Sequence, residues 1–318
     1  MKRTFSVIAL ALSLSLTACS KEETTKNIFN IQQKMAGKDG RAITLPPPVA
    51  PQPPEFPTEA EIQAKIAENL AYINSKIVEK DGKTTYYFAK QKDKDGKNTY
   101  PLTDDKNKAD YYRVILGKTA DGYCAVQDFY ANGKKQMEPF IEQDINYCNR
   151  FDGNGKPHDS LIIIYYDKEQ KITSFSYFDI TNKQRFLFGY VNGNEAGVVI
   201  SDFSNSPKIT AFDMNDIEHK STIKIFEFNE YQIVKFTSFW YQKANLKDID
   251  YVLQYNFLAE EKKEFLWFPQ TNGNIATYFD NDPEYEKNNK EFFNQAEKAI
   301  KQAQEEFNFY LSQNSNNQ

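Results

Sequence analysis

The sequence predicts an α+β fold, an antiparallel β-hairpin meander flanked by an N-terminal and a C-terminal helix. Three observations lead there. Apolar residues recur at helical spacing at both ends of the foldable part, as Ile62, Ile66, Leu70, Ile73 and Ile77 and again as Phe292, Ala296, Ala299, Ile300, Ala303, Phe307 and Leu311. Between them short runs rich in Tyr, Phe, Ile, Val and Thr are separated by Asn-Gly and Asp-Gly pairs. Those runs stand too close together for crossover helices, so their pairing must be antiparallel. With 318 residues, 40% hydrophobic and 15% aromatic, the chain can build a sizeable core. A mean hydropathy of -0.69 with one long apolar run excludes a multi-span membrane protein. A net charge of -5 argues against nucleic acid as a partner, since coating it needs a basic footprint.

The chain opens with Met1-Lys2-Arg3, followed by Phe5 to Leu16, made only of apolar and small hydroxyl residues. That is the pattern of a secretory signal, too short to span a bilayer comfortably. It ends in Leu16-Thr17-Ala18-Cys19-Ser20, which resembles the lipobox of bacterial lipoproteins. The resemblance implies that residues 1–18 are a signal peptide and that Cys19 is acylated, becoming the mature N-terminus. Its partner is then a lipid bilayer, and several acyl chains give the stable anchoring that one cannot. A plain signal peptide with a chance cysteine leaves the order of these features unexplained. By the family's sorting rule, Ser20 in place of Asp points to the outer membrane.

Residues 19–57 then read as a tether. Seven of the 13 prolines fall between Pro46 and Pro57, which favours extended polyproline II. Such a stretch is either a ligand for an aromatic groove or a stalk, and a stalk behind a lipobox needs nothing else to explain it.

A single folded domain is expected over 58–318. Thr58-Glu59-Ala60-Glu61 is a capping-box pattern opening a helix over 58–78. The β-meander follows over 83–280, with strand-like runs at Tyr111 to Leu116, Tyr123 to Tyr130, Ser160 to Tyr166, Arg185 to Val191, Ile223 to Phe228 and Ile233 to Tyr241. The Asn-Gly and Asp-Gly pairs predict tight turns, in which positive φ is tolerated at both central residues. Asp282-Pro283 opens a last helix over 283–312, proline being suited to a first helical turn.

A repeat runs inside the meander. Phe129-Tyr130-Ala131-Asn132-Gly133-Lys134 is echoed by Phe151-Asp152-Gly153-Asn154-Gly155-Lys156, and Tyr165-Tyr166-Asp167 follows with a degenerate tip. The stretch from Gly122 to Lys171 resembles MORN-type repeats, whose units carry an aromatic pair and then Asn-Gly-Lys at a hairpin tip. The resemblance implies a repeat scaffold with Asn132, Gly133, Lys134, Asn154, Gly155 and Lys156 at the tips. In bacterial relatives it implies an antitoxin or immunity partner, and it implies no one chemistry.

Cys124 and Cys148 are the two cysteines left after Cys19. In an exported chain an even pair reads as one disulfide, the alternative being two separate buried thiols. His158 and His219 are isolated and lack metal or triad spacing. No nucleophile elbow and no phosphate loop is present. The acidic stretches starting at Asp93 and Asp152 lack the glycine at position six that a calcium loop requires, so both read as hairpin tips. No metal and no cofactor is therefore expected. Adjacent aromatics such as Tyr86-Tyr87, Tyr111-Tyr112 and Phe239-Trp240 must point to opposite sheet faces, which leaves some free for binding. The expected function is a non-catalytic protein-binding or scaffold role at the envelope. The second expectation is an immunity lipoprotein neutralising a toxin. A third, an envelope glycan hydrolase, requires paired carboxylates near Trp240 or Trp267.

Overall fold

Helix α1 (Glu59–Lys76) begins at Thr58, whose hydroxyl accepts from the Glu61 amide at 3.3 Å while the Glu61 carboxylate accepts from the Thr58 amide at 2.7 Å. This reciprocal box satisfies two donors that a helix start leaves open. The helix stops short of residue 78 because the chain turns extended at Ile77 and enters strand β1 (Ile77–Lys80). Its buried edge runs through Ile62, Asn69 and Ile73, and Leu70 is 42% exposed. The apolar stripe expected through Leu70 is thus displaced by one position. Asn69 takes the inward place because its amide donates to the Pro139 carbonyl (3.0 Å) and accepts from the Leu161 amide (3.1 Å). Two backbone groups are thereby satisfied, and a leucine there would leave both buried without a partner.

The computed structural model describes residues 48–153, 155–157, 160–214, 221–230, 232–241, 249–257, 263–268, 275–280, 290, 293–305 and 307–308. They fall into two compact units where one domain was expected, the first over 54–196 with the residues from 302, the second over 197–301 with residues 48–53.

In the first unit β5 (Tyr111–Thr119) is central. Strands β1 and β2 (Thr85–Phe88) line one of its edges, β6 (Cys124–Tyr130) the other, and β7 (Phe140–Ile141) lies beyond β6. Strands β3 (Gln91–Lys92) and β4 (Asn98–Thr99) form a separate hairpin. Strands β8 (Ile162–Tyr166), β9 (Ile172–Asp179) and β10 (Gln184–Val191) form an antiparallel ladder.

The turns differ from the two-residue form expected. Among the described residues only Asn192-Gly193 has both φ angles positive, at 54° and 83°. At Asn132-Gly133 the glycine alone is positive (86°), and Tyr130 bonds to Gly133 N and Lys134 O. That is a three-residue loop, a type I turn closed by a left-handed glycine.

In the second unit β11 (Asn194–Asp202) leads from Gly197 into β12 (Lys208–Asp213), β13 (Ser221–Asn229), β14 (Gln232–Tyr241), β15 (Ile249–Asn256), β16 (Lys263–Phe268) and β17 (Ile275–Asp280). Each pairs antiparallel with the next. Phe226 and Phe236 are buried on one sheet face and Ile223 and Phe239 on the other, in line with the unbroken apolar and hydroxyl run Phe236–Tyr241 of β14. Helix α2 (residues 293–305) buries Phe293, Ala296, Ile300 and Ala303. Phe293 packs on Phe236 (5.9 Å) and Phe257 (5.2 Å). In the first unit Phe307 packs on Phe178 at 5.8 Å. The start at Asp282-Pro283, Phe292 and Leu311 lie outside the described residues.

Candidate functional site

Strand β5 alternates. Tyr111, Arg113 and Ile115 are buried, while Tyr112, Val114 and Leu116 are half-buried on the opposite face. Arg113 is 0% exposed. Its Nε and Nη2 donate to the two carboxylate oxygens of Asp128 on β6, at 2.6 and 2.7 Å. Its Nη1 lies 2.7 Å from Glu142 Oε2 and donates to the carbonyls of Tyr147 and Arg150, both at 3.0 Å. Phe140 and Phe151 flank the guanidinium, their centroids 5.5 and 5.7 Å away. Two buried carboxylates thus share one buried cation. Burial has the largest influence on Glu142 and pushes its carboxyl up, to about 7; Arg113 pulls it down and Asp128 pushes it further up.

The two carbonyls tie Arg113 to the irregular stretch after β7. Cys148 in that stretch is joined to Cys124 on β6 by a disulfide, with Cα atoms 5.6 Å apart. Ile145, 48% exposed, lines a shallow open groove with Tyr123, Gln143, Asp144, Tyr147 and Lys156. Lys156 Nζ sits 4.2 Å above the Tyr147 ring.

The same register builds the outer face. Arg113 pairs across the ladder with Asp128, so its neighbour Tyr112 pairs with Phe129 and, on the other side, with Tyr87. The three rings form a row over β2, β5 and β6. Tyr87 and Tyr112 are 5.9 Å apart; Tyr112 and Phe129 stack at 4.9 Å and 6°. All three are half-buried, and Lys106 Nζ stands 6.0 Å from Tyr87. Helix α1 covers this face further along, where Ile73 packs with Ala125 and Ile141. The row is an aromatic shelf next to that covered part, with area to offer a partner.

The other expected residues are dispersed. Asn132, Gly133 and Lys134 form a hairpin tip, with Asn132 Oδ1 accepting from Lys134 N at 3.0 Å. Gly155 and Lys156 are not at a tip. They lie in the irregular stretch before β8, where a Cβ on Gly155 would run into the Phe140 ring and where the Lys156 ammonium is 3.6 Å from Asp152. Asp93 Oδ1 accepts from the Asp95 and Lys97 amides, at 2.9 and 2.8 Å, as a turn cap. Trp240 is half-buried in β14. Cys19, Asn154, His158, His219 and the Trp267 side chain lie outside the described residues. Among the described residues no group of three or more His, Cys, Asp or Glu is placed to hold a metal, and no helix is long and apolar enough to cross a membrane.

Sequence reasoning missed Arg113, Asp128, Glu142 and Asn69. The first two carried a signal. Arg113 falls in the inward phase between Tyr111 and Ile115, and Asp128 falls in the inward phase of the next strand with opposite sign. No protein-family model and no curated protein sequence matches the chain.

Proposed function

We propose that this protein is a lipid-anchored, non-catalytic binding protein of the outer membrane, and that it meets its protein partner through the Tyr87–Tyr112–Phe129 shelf. The observation that carries the reading is the in-register row itself, backed one residue along by the buried Arg113–Asp128 pair. Stiff aromatic rings give contact area at little entropic cost, and interfaces are enriched in them. Leu16-Thr17-Ala18-Cys19 supports the anchor. The immunity reading has its own support. The 167–171 tip leans on the Asn132-Gly133-Lys134 tip, since the Gln170 amide accepts from Lys135 N (3.1 Å) and donates to Lys135 O (2.8 Å). Neighbouring tips bonded in this way are what stacked hairpin repeats require.

Crosslinking of the tagged full chain in whole cells tests both. One dominant partner is expected, with capture falling roughly tenfold for Tyr112→Ala at unchanged thermal stability. Equal capture by wild type and variant refutes the shelf. A basic, toxin-like partner supports immunity, and envelope assembly components support a scaffold. Cys19→Ser should move the protein out of the membrane fraction.

A further inference from the structure

The end of the tether is part of the folded protein. Along residues 48–57, Val49 (91%), Gln52 and Glu55 are exposed while every residue between them is half-buried. A three-residue period is that of polyproline II, which shows one edge to solvent when its other two edges are covered. Phe56 fixes where the 54–57 end of the segment sits, within the first unit. Its ring meets Phe188 edge-on at 5.2 Å and Tyr190 at 5.4 Å, both on β10. The strip continues to Phe186 and Phe175, stacked with Phe188 at 6.2 and 6.1 Å.

Tyr190 adds an independent observation. Its hydroxyl is buried and has no hydrogen-bond partner among the described residues. Burial, then the charges of Glu195 and Glu59, keep the phenol protonated, its pKa pushed up to about 12. The carbonyls of polyproline II are unbonded within the segment, and a tyrosine hydroxyl is a natural donor to them. A strip lined by rings and holding an unused donor is built for such a peptide, and the resident segment leaves that donor unmet.

We infer that the Phe188–Tyr190 strip is a binding site for a polyproline II peptide bearing an aromatic residue. In the structure the chain fills it with its own residues 54–57, Phe56 foremost, as an exchangeable ligand held in cis. Attachment gives this strap an effective concentration on the order of millimolar, so a free peptide must compete with it.

The test uses the full chain and a fluorescein-labelled peptide of residues 46–58. Phe56→Ala loosens the strap and should bind the peptide at least about tenfold more tightly than wild type. A peptide whose own phenylalanine is replaced by alanine should not bind. Equal binding by variant and wild type, or binding of the alanine peptide, overturns the inference. Should Phe56→Ala fail to fold, Pro53→Ala with Pro54→Ala loosens the strap without touching the rings. Tighter peptide binding by that variant supports the inference and unchanged binding overturns it.

Discussion

Arg113 shows what one side chain can specify. A guanidinium presents a rigid fork of donors, and here it serves Asp128 twice and three further acceptors. Such a buried pair adds little stability over a well-packed apolar one, but it discriminates between registers. A slip of one residue would expose Arg113 and bury Tyr112. Arg113→Met should therefore cost about 3–5 kcal/mol in urea denaturation, because two carboxylates are left without their cation. Glu142 sets a pH dependence of the opposite sense to an ordinary ion-paired carboxylate. Its folded pKa is raised, from 4.5 to about 7, so the native state holds the proton more tightly than the unfolded chain. The associated stability is complete below about pH 4.5 and is lost as pH rises towards 7. Urea titrations at pH 5 and pH 8 should show wild type losing on the order of 2 kcal/mol more than Glu142→Gln. Arg113 and Asp128 were legible as charges in the inward phase of consecutive strands. Glu142 was not, since its place depends on a non-local return of the chain rather than on any local period.

Elements were more legible than their edges. The α1 capping box, the strand runs and their antiparallel order follow from local chemistry and spacing. One place on the inward face of α1 did not, because hydrophobicity ranks Leu70 above Asn69 and cannot register two backbone groups waiting for an amide. The second repeat tip failed for a related reason. Phe151 is drawn into a cluster with Phe88, Tyr100 and Tyr111, and Gly155 lies against Phe140, so the stretch packs inward instead of closing a hairpin. The geometry of the first tip is testable by comparing its two central residues. Gly133→Ala forces alanine to a φ of 86° and should cost about 1 kcal/mol or more in thermal unfolding. Asn132→Ala should cost only the bond to Lys134, about 0.5–1.5 kcal/mol. In a two-residue turn both would carry the backbone penalty.

At the scale of the whole molecule the cross-link and the tryptophans fall in different units. The disulfide closes a 24-residue separation in the first unit, worth roughly 3 kcal/mol on the chain-entropy account. Trp240 and Trp267 lie in the 197–301 stretch of the second unit, and neither cysteine of the disulfide belongs to that unit. Reduction, or Cys124→Ala with Cys148→Ala, should lower the far-ultraviolet melting transition by roughly 10 °C. The tryptophan-detected transition should move less. The strand order of the second unit also bears on how it assembles. From β12 to β17 each strand finds its partner next in the chain, so each closure involves a modest loop. The ladder can zip hairpin by hairpin from any starting pair, with no distant segment to wait for. It can also unzip, and among the described residues β17 ends the ladder with a partner on one side only. Its amides should exchange with solvent first, and protection should rise strand by strand towards β13 and β14.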